Sequence, residues 1–176
     1  MKLPKDFYTR NVLTVAPELL GKILVCKVAD EFLRYRITET EAYRGIDDLA
    51  CHASKGRTAR TEAMYYTGGV VYVYLIYGMY WMLNIVTGNE NDPQAVLIRG
   101  LEGIYGPGRL SGRLQIDKSF YNEDVTTSPR IWIEDDGFIP QYKTGARIGI
   151  DYAGEWKDKP WRFYVENCEK SYKTSP

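Results

Sequence analysis

Val70-Val-Tyr-Val-Tyr-Leu-Ile-Tyr-Gly-Met-Tyr-Trp-Met-Leu-Asn-Ile-Val86 is the run on which the fold turns. It lies inside a stretch from Ala63 to Asn89 that carries no charged side chain. A membrane span needs about 20 mainly apolar residues in one helix. Here Gly78 cuts the run in half, and Tyr72, Tyr74, Tyr77 and Tyr80 lie within it, not just at its ends. Its β-branched and aromatic content favours strands. The pattern predicts two strands, 70–76 and 79–86, joined by a tight turn at Tyr77–Gly78. Tyr77 then stands at a hairpin tip, an exposed large aromatic that is unusual without a target. Asn84 falls in an otherwise apolar strand and needs a hydrogen-bond partner or a ligand.

Outward from this hairpin, a short helix is expected over Val15–Leu20, with Pro17 in its first turn and Gly21 past its end. Strands are expected at Lys22–Ala29, Leu33–Tyr43, Gln94–Leu101, Arg130–Ile133, Arg147–Ile150 and Trp161–Val165. Asp47–Ser54 reads as a short helix, Lys55–Arg60 as a basic loop, and Gly106-Pro107-Gly108 opens a helix through Leu114. Strands dominate and do not alternate with helices. That predicts an α+β fold, a single mixed domain over residues 1–176 around a curved antiparallel sheet, with short peripheral helices and a protruding β-hairpin.

At 176 residues, a chain can bury about 70 % of its unfolded surface without disulfides or metals. Twenty-three Lys+Arg balance 23 Asp+Glu, which excludes a strongly basic polyanion binder as a whole-chain property. A local basic face is still open, from Lys55, Arg57 and Arg60 and then Arg99, Arg109, Arg113 and Lys118. Tyr outnumbers Phe, 15 to 5, as suits a surface apolar on one side and wet on the other. Cys26, Cys51 and Cys168 are far apart and His52 is the single histidine, so neither a disulfide scaffold nor a metal site is expected. The Met1 start has no apolar signal core, which suggests a reduced, cytoplasmic setting and no membrane.

Chemistry gathers around Thr38-Glu39-Thr40-Glu41-Ala42-Tyr43. Side chains two apart on a strand share a face, so Glu39, Glu41 and Tyr43 point one way. A carboxylate there can activate water or steady a developing positive charge. The alternative is a strand edge kept soluble by glutamates. Arg99 interrupts the apolar strand Ala95–Ile98 and needs a carboxylate partner if buried, for which Glu41 is available.

The run Ile37–Gly45 is similar to the active-site strand of the alkyladenine (3-methyladenine) DNA glycosylases, and Tyr72–Tyr80 followed by Asn84 closely resembles that family's DNA-inserting hairpin. Ala95–Arg99, Gly106–Leu110, Lys118–Phe120, Ala146–Ile150, Ala153–Trp156 and Pro160–Val165 match in the family's order. The resemblance spans about Phe7 to Val165. It implies hydrolysis of the bond between a damaged purine (3-methyladenine, 7-methylguanine, hypoxanthine or ethenoadenine type) and its deoxyribose after base flipping, leaving an abasic site. It implies a monofunctional, monomeric enzyme, without metal or cofactor, acting on double-stranded DNA in the cytoplasm, associated with the nucleoid of a bacterium or archaeon, or in the nucleus of a eukaryote.

Carried over residue by residue, Glu41 would activate the water and Arg99 would help to hold it. Tyr43 would stack on one face of the flipped purine, with His52 and Tyr74 on the other, each contact to a cationic base worth roughly 0.5–2 kcal/mol. The His52 amide would read the 6-position, and Asn84 would crowd the 2-position of guanine. Tyr77 would fill the gap in the duplex with Met79 and Tyr80 beside it. Thr58, Arg60, Arg109 and Lys118 would hold phosphates. Two departures stand out. Only Gly100–Tyr105 joins the Arg99 strand to the Gly-Pro motif, where the family usually has a longer helical connection. The residues before Asn84 (Trp81, Met82, Leu83) are also bulky. A non-catalytic aromatic platform for nucleic acid is one rival. A glycosidase on free nucleosides or sugars using Glu39 and Glu41 is the other.

Overall fold

The computed structural model describes residues 1–166, so Cys168 lies outside the described residues. The architecture is α+β: few helices around a curled antiparallel half-barrel sheet. The chain opens with two helices, α1 (Lys5–Tyr8) and α2 (Val12–Glu18). The Asn11 side chain caps α2 by accepting from the Leu13 N–H. The helix therefore starts three residues before the expected Val15, and Pro17 falls near its end, not in its first turn.

Strands β1 (Ile23–Val28) and β2 (Glu31–Arg44) form a hairpin, with Ile23 opposite Arg36 and Val28 opposite Glu31. β2 then outruns β1. Its outer half lies between β5 (Gln94–Leu101) on one edge and β9 (Arg162–Val165) on the other. The predicted hairpin is β3 (Val71–Ile76) and β4 (Tyr80–Thr87), in register from Val71–Ile85 to Ile76–Tyr80. Its turn takes in Met79 as well as Tyr77 and Gly78. Tyr77 (φ 50°) and Gly78 (φ 67°) are both left-handed, and the Met79 N–H bonds the Ile76 carbonyl, as a type I′ turn requires. The main path of the sheet runs β3-β4-β5-β2-β1-β7, where β7 is Ile131–Glu134.

The short connection Gly100–Tyr105 is itself a tight hairpin. Strand β6 (Ile104–Tyr105) turns back on β5, pairing Leu101 with Ile104, and Gly103 takes a left-handed φ of 75°. It delivers the chain to α3 (Pro107–Arg113). A further strand, β8 (Tyr142–Gly145), pairs with β9. Two expectations fail here. Arg147–Ile150 is an irregular loop, because its polar groups bond to the site described below and not to a ladder. Asp47–Ser54 is a turn followed by a single 3-10 turn, His52–Lys55, because the Asp48 side chain takes up the Arg44 and Ala50 N–H groups.

One core cluster packs α2 against the sheet through Val12, Val15, Ala16 and Leu19, with Leu24, Ile37 and Ile98 opposite, all fully buried. Each valine, leucine and isoleucine among them contributes about 1.5–3 kcal/mol. Thr40 donates to the Ala16 carbonyl at 2.9 Å and Gln94 accepts from the Val12 N–H at 2.8 Å, tying α2 to β2 and β5. Among the described residues, no helix is long and apolar enough to cross a membrane.

Candidate active site and nucleic-acid interface

The outer half of β2 puts Glu39, Glu41 and Tyr43 on one face, as the alternation predicts. Glu41 is fully buried in the middle of the sheet, which rules out a solubilising strand edge. Its two oxygens are held separately. Oε1 accepts from the Ile148 N–H at 2.7 Å, and Oε2 accepts from the Tyr43 hydroxyl at 2.7 Å. Arg99 Nε lies 3.5 Å from Glu41 Oε1, but its hydrogen bond, at 3.3 Å, goes to Glu39 Oε1. Arg162 Nη1 donates to the same Glu39 oxygen at 3.1 Å. The expected Arg99–Glu41 pair is thus one edge of a chain, Arg162–Glu39–Arg99–Glu41.

Burial raises the pKa of Glu41 above the ordinary carboxylate value, and nearby Glu39 adds to this. Arg99, the Ile148 N–H and the Tyr43 hydroxyl pull the other way. A carboxylate balanced like this is a stronger base than a free one. Burial and the neighbouring Glu41 hold Tyr43 well above the usual phenol range, so it remains a hydrogen-bond donor.

Tyr43, which donates to Glu41, also walls a small cavity together with His52, Tyr72, Tyr74 and Asn84. About 20 Å³ of it is open, room for about one water and far less than a purine. The His52 and Tyr74 rings meet edge-on, with centroids 4.4 Å apart. His52 Nδ1 is 2.8 Å from the Tyr72 hydroxyl, whose proton is retained because burial raises its pKa. Burial, then Arg60 and Lys55, depress His52 from 6.5 to about 4, so the ring is neutral at pH 7. Neutral His52 carries one ring proton, and the bond between Nδ1 and the Tyr72 hydroxyl serves either tautomer. Asn84, 3 % exposed, donates Nδ2 to the Tyr72 and Met82 carbonyls. The expected buried polar group is therefore present, partnered, and on the cavity wall.

Behind Tyr43 is a feature that spacing did not announce. Arg147 and Asp48 form a fully buried ion pair, with Nη1 to Oδ2 at 2.6 Å and Nη2 to Oδ1 at 2.9 Å. The guanidinium lies 4.8 Å from the Tyr43 ring centroid and 5.0 Å from that of Trp161. The β-branched Ile148 and Ile150 suggested a strand and hid the loop. A charged residue with glycine two positions on (Gly149, φ 75°) was the available signal.

The hairpin tip carries Tyr77, 87 % exposed, with Met79 and Tyr80 also exposed. A groove of about 460 Å³ runs beside it, walled by Tyr74, Leu75, Trp81 and Tyr121, with Arg60 and Lys118 on its lining. Tyr74 thus separates the groove from the cavity, and the Arg60 guanidinium lies 5.5 Å from its ring. Arg60 and Lys118 are brought together. Arg109 is not among the groove residues. It is exposed on α3, next to Gly108, where an added Cβ would come within 2.8 Å of Tyr80 Cδ1. Thr58 is exposed and closes its own turn through Thr61. Arg57 is engaged by Glu62 and Asn91. A larger concavity of about 700 Å³, between α1–α2 and Asp135–Tyr142, contains none of these residues. Among the described residues, no group of three or more His, Cys, Asp or Glu side chains could hold a metal ion.

The chain matches the model of the family described as Methylpurine-DNA glycosylase (MPG) in two segments, residues 6–106 and 102–169. The segments meet where the tight β5–β6 hairpin stands. It is 43 % identical over 194 residues to a protein of Methanocella arvoryzae, covering 99 % of this chain and 97 % of that one. It is 46 % identical over 176 residues to one of Legionella pneumophila (strain Lens), covering 94 % and 95 %. A third, from Desulfitobacterium hafniense, is 42 % identical over 196 residues, covering 96 % and 97 %. All three bear the name "Putative 3-methyladenine DNA glycosylase". With the family model spanning nearly the whole chain and relatives this similar end to end, the chain belongs to the methylpurine-DNA glycosylase family of DNA-repair hydrolases.

Proposed function

We propose that this chain excises alkylated or deaminated purines from duplex DNA by hydrolysis at the glycosidic carbon, leaving an abasic site. The observation that carries the reading is Glu41: a buried carboxylate, held by two donors, one of which, Tyr43, walls a cavity with Tyr72, Tyr74 and a neutral histidine. The glycosidic carbon is out of reach in a stacked duplex, so the nucleotide must turn out. Tyr77 then fills the vacated space, and Met79 and Tyr80 support it in the minor groove. Arg60 and Lys118 hold phosphates along the groove beside the hairpin, and Thr58 and Arg109 add contacts outside it.

The flipped purine enters between Tyr43 and the His52–Tyr74 pair, which must part to admit it. Asn84 crowds the 2-position and the His52 amide meets the 6-position. Glu41 takes a proton from water as the water oxygen bonds to the sugar carbon. The carbon–nitrogen bond breaks and its electron pair leaves with the base. A cationic base departs neutral. The carboxylate offsets charge on the oxocarbenium-like sugar, and Arg99 steadies the water.

Release of hypoxanthine and of 3-methyladenine from duplex DNA, with alkali to reveal abasic sites, tests this for wild type and Glu41→Gln. Wild type should release base and Glu41→Gln should not, while both bind the duplex. A wild type that binds damaged duplex and releases nothing would sink the proposal and favour a non-catalytic platform. Release from free nucleosides that survives Tyr77→Ala would favour a nucleosidase.

A further inference from the structure

We propose that Arg147 is a positioning residue: its guanidinium locks the Tyr43 ring and, through the next residue, the Ile148 N–H into one unit around the Glu41 carboxylate. The inference builds on the glycosylase reading above but is tested separately from it.

The contacts all radiate from one side chain. Besides its two bonds to Asp48, Arg147 donates to the Ala42 carbonyl at 2.9 Å and to the Trp156 carbonyl at 3.2 Å. Ala42 lies between Glu41 and Tyr43 on β2. Asp48 in turn accepts from the Arg44 and Ala50 N–H groups, both at 3.1 Å, on the loop that runs on to His52. Ile148, next in the chain, donates to Glu41. One guanidinium therefore joins the strand bearing Glu41 and Tyr43, the loop leading to His52, and the loop bearing the N–H donor. Arg147 does not line the cavity itself, so it acts through these neighbours.

Stability alone does not explain the arrangement. A buried ion pair is seldom more stabilising than well-packed apolar side chains of the same volume. The Arg147 Nε, moreover, is buried without a partner. The guanidinium forgoes one hydrogen bond while its other four hold it against the Tyr43 and Trp161 rings, so its placement serves Tyr43 as well as Asp48.

The test is Arg147→Lys, which keeps the charge but loses the planar, forked donor set, with Asp48→Asn as a second variant. The groups facing Glu41 are otherwise unchanged: Arg99 on β5, Glu39 and Tyr43 on β2, Tyr74 on β3, and Arg162 on β9 through Glu39. The first readout needs no DNA. Carbon-13 NMR of glutamate-labelled protein, with Glu41→Gln for assignment, gives the titration midpoint of Glu41. Loss of the Ile148 N–H should move it upward by roughly one pH unit. The second readout is single-turnover excision, which should fall at least about tenfold while duplex affinity changes little, because the damage is to geometry.

A lowered melting temperature with an unmoved midpoint and unchanged excision would make the pair a structural brace only and overturn the proposal. If Arg147→Lys does not fold, Asp48→Asn carries the same two readouts. If wild type releases no base, the proposed activity falls and the titration alone decides the positioning role.

Discussion

Protonation of His52 should weaken this fold at a pH where most histidines are harmless. The ring is neutral in the native state, with a pKa of about 4 against the ordinary 6.5. The native state therefore resists binding a proton that the unfolded chain accepts below 6.5. The stabilisation is complete above pH 6.5, declines as pH falls through this window, and is gone below about 4. At 1.36 kcal/mol per pH unit the gap corresponds to at most about 3 kcal/mol, and partial exposure of the ring reduces this to about 1–3 kcal/mol. The assay is urea unfolding between pH 4 and 8 for wild type and His52→Asn. Several carboxylates with depressed values, such as Asp124 and Asp135, destabilise both proteins at the acid end, so the difference between the two curves isolates the histidine. Wild type should lose stability relative to the variant from about pH 6.5 downward. Parallel curves across the window would refute the argument that burial and the Arg60 and Lys55 charges keep the ring neutral.

Tyr77→Gly should separate folding from function: relief of a non-glycine left-handed residue should leave stability equal or higher by up to about 1 kcal/mol, while release from duplex falls at least about tenfold. Thermal melts beside the excision assay check both halves. Gly68→Ala should cost several kcal/mol or abolish folding, since its Cβ would lie 2.1 Å from the Tyr8 carbonyl oxygen. Gly112→Ala, in open space on α3, should stabilise by about 0.5–1 kcal/mol in the same melts. Alanine at Arg60 or Lys118 should weaken binding to all duplexes alike and lower the slope of log affinity against log salt by about 0.9 each. A lesion-selective loss would instead place that residue at the base.

The hairpin was legible because its signal is local: β-branched and aromatic content and the single Gly78 settle Val71–Thr87 within a residue or so. The shared face of Glu39, Glu41 and Tyr43 was legible for the same reason, since a strand's period of two is its geometry. What spacing could not convey was burial. Glu41 is inaccessible because β5 and β9 flank it, and that depends on contacts more than fifty residues away in sequence. Arg99 fell to the nearer Glu39 because the register shifts between Ile37 and Thr40. Arg147 was obscured by a strand-like composition. Its partner Asp48, 99 residues away, leaves no local trace. The misplaced start of α2 has a simpler cause: Asn11 is a strong cap preceding apolar periodicity, and it outweighs the pull of Pro17 towards a first turn.

The clasp between Asp48 and Arg147 also bears on when the site comes into being. Ribosomal synthesis delivers the chain from its N-terminus, and long-range contacts close last. The β1–β2 and β3–β4 hairpins and β5 can pair once residue 101 has emerged, but Glu41 then lacks its Ile148 donor, Tyr43 lacks its guanidinium backing, and Glu39 lacks Arg162. A nascent chain halted before residue 147 can hold most of its sheet and none of these contacts around Glu41. The site is completed by the chain's last third, so an interrupted or proteolysed copy loses it before it loses its fold.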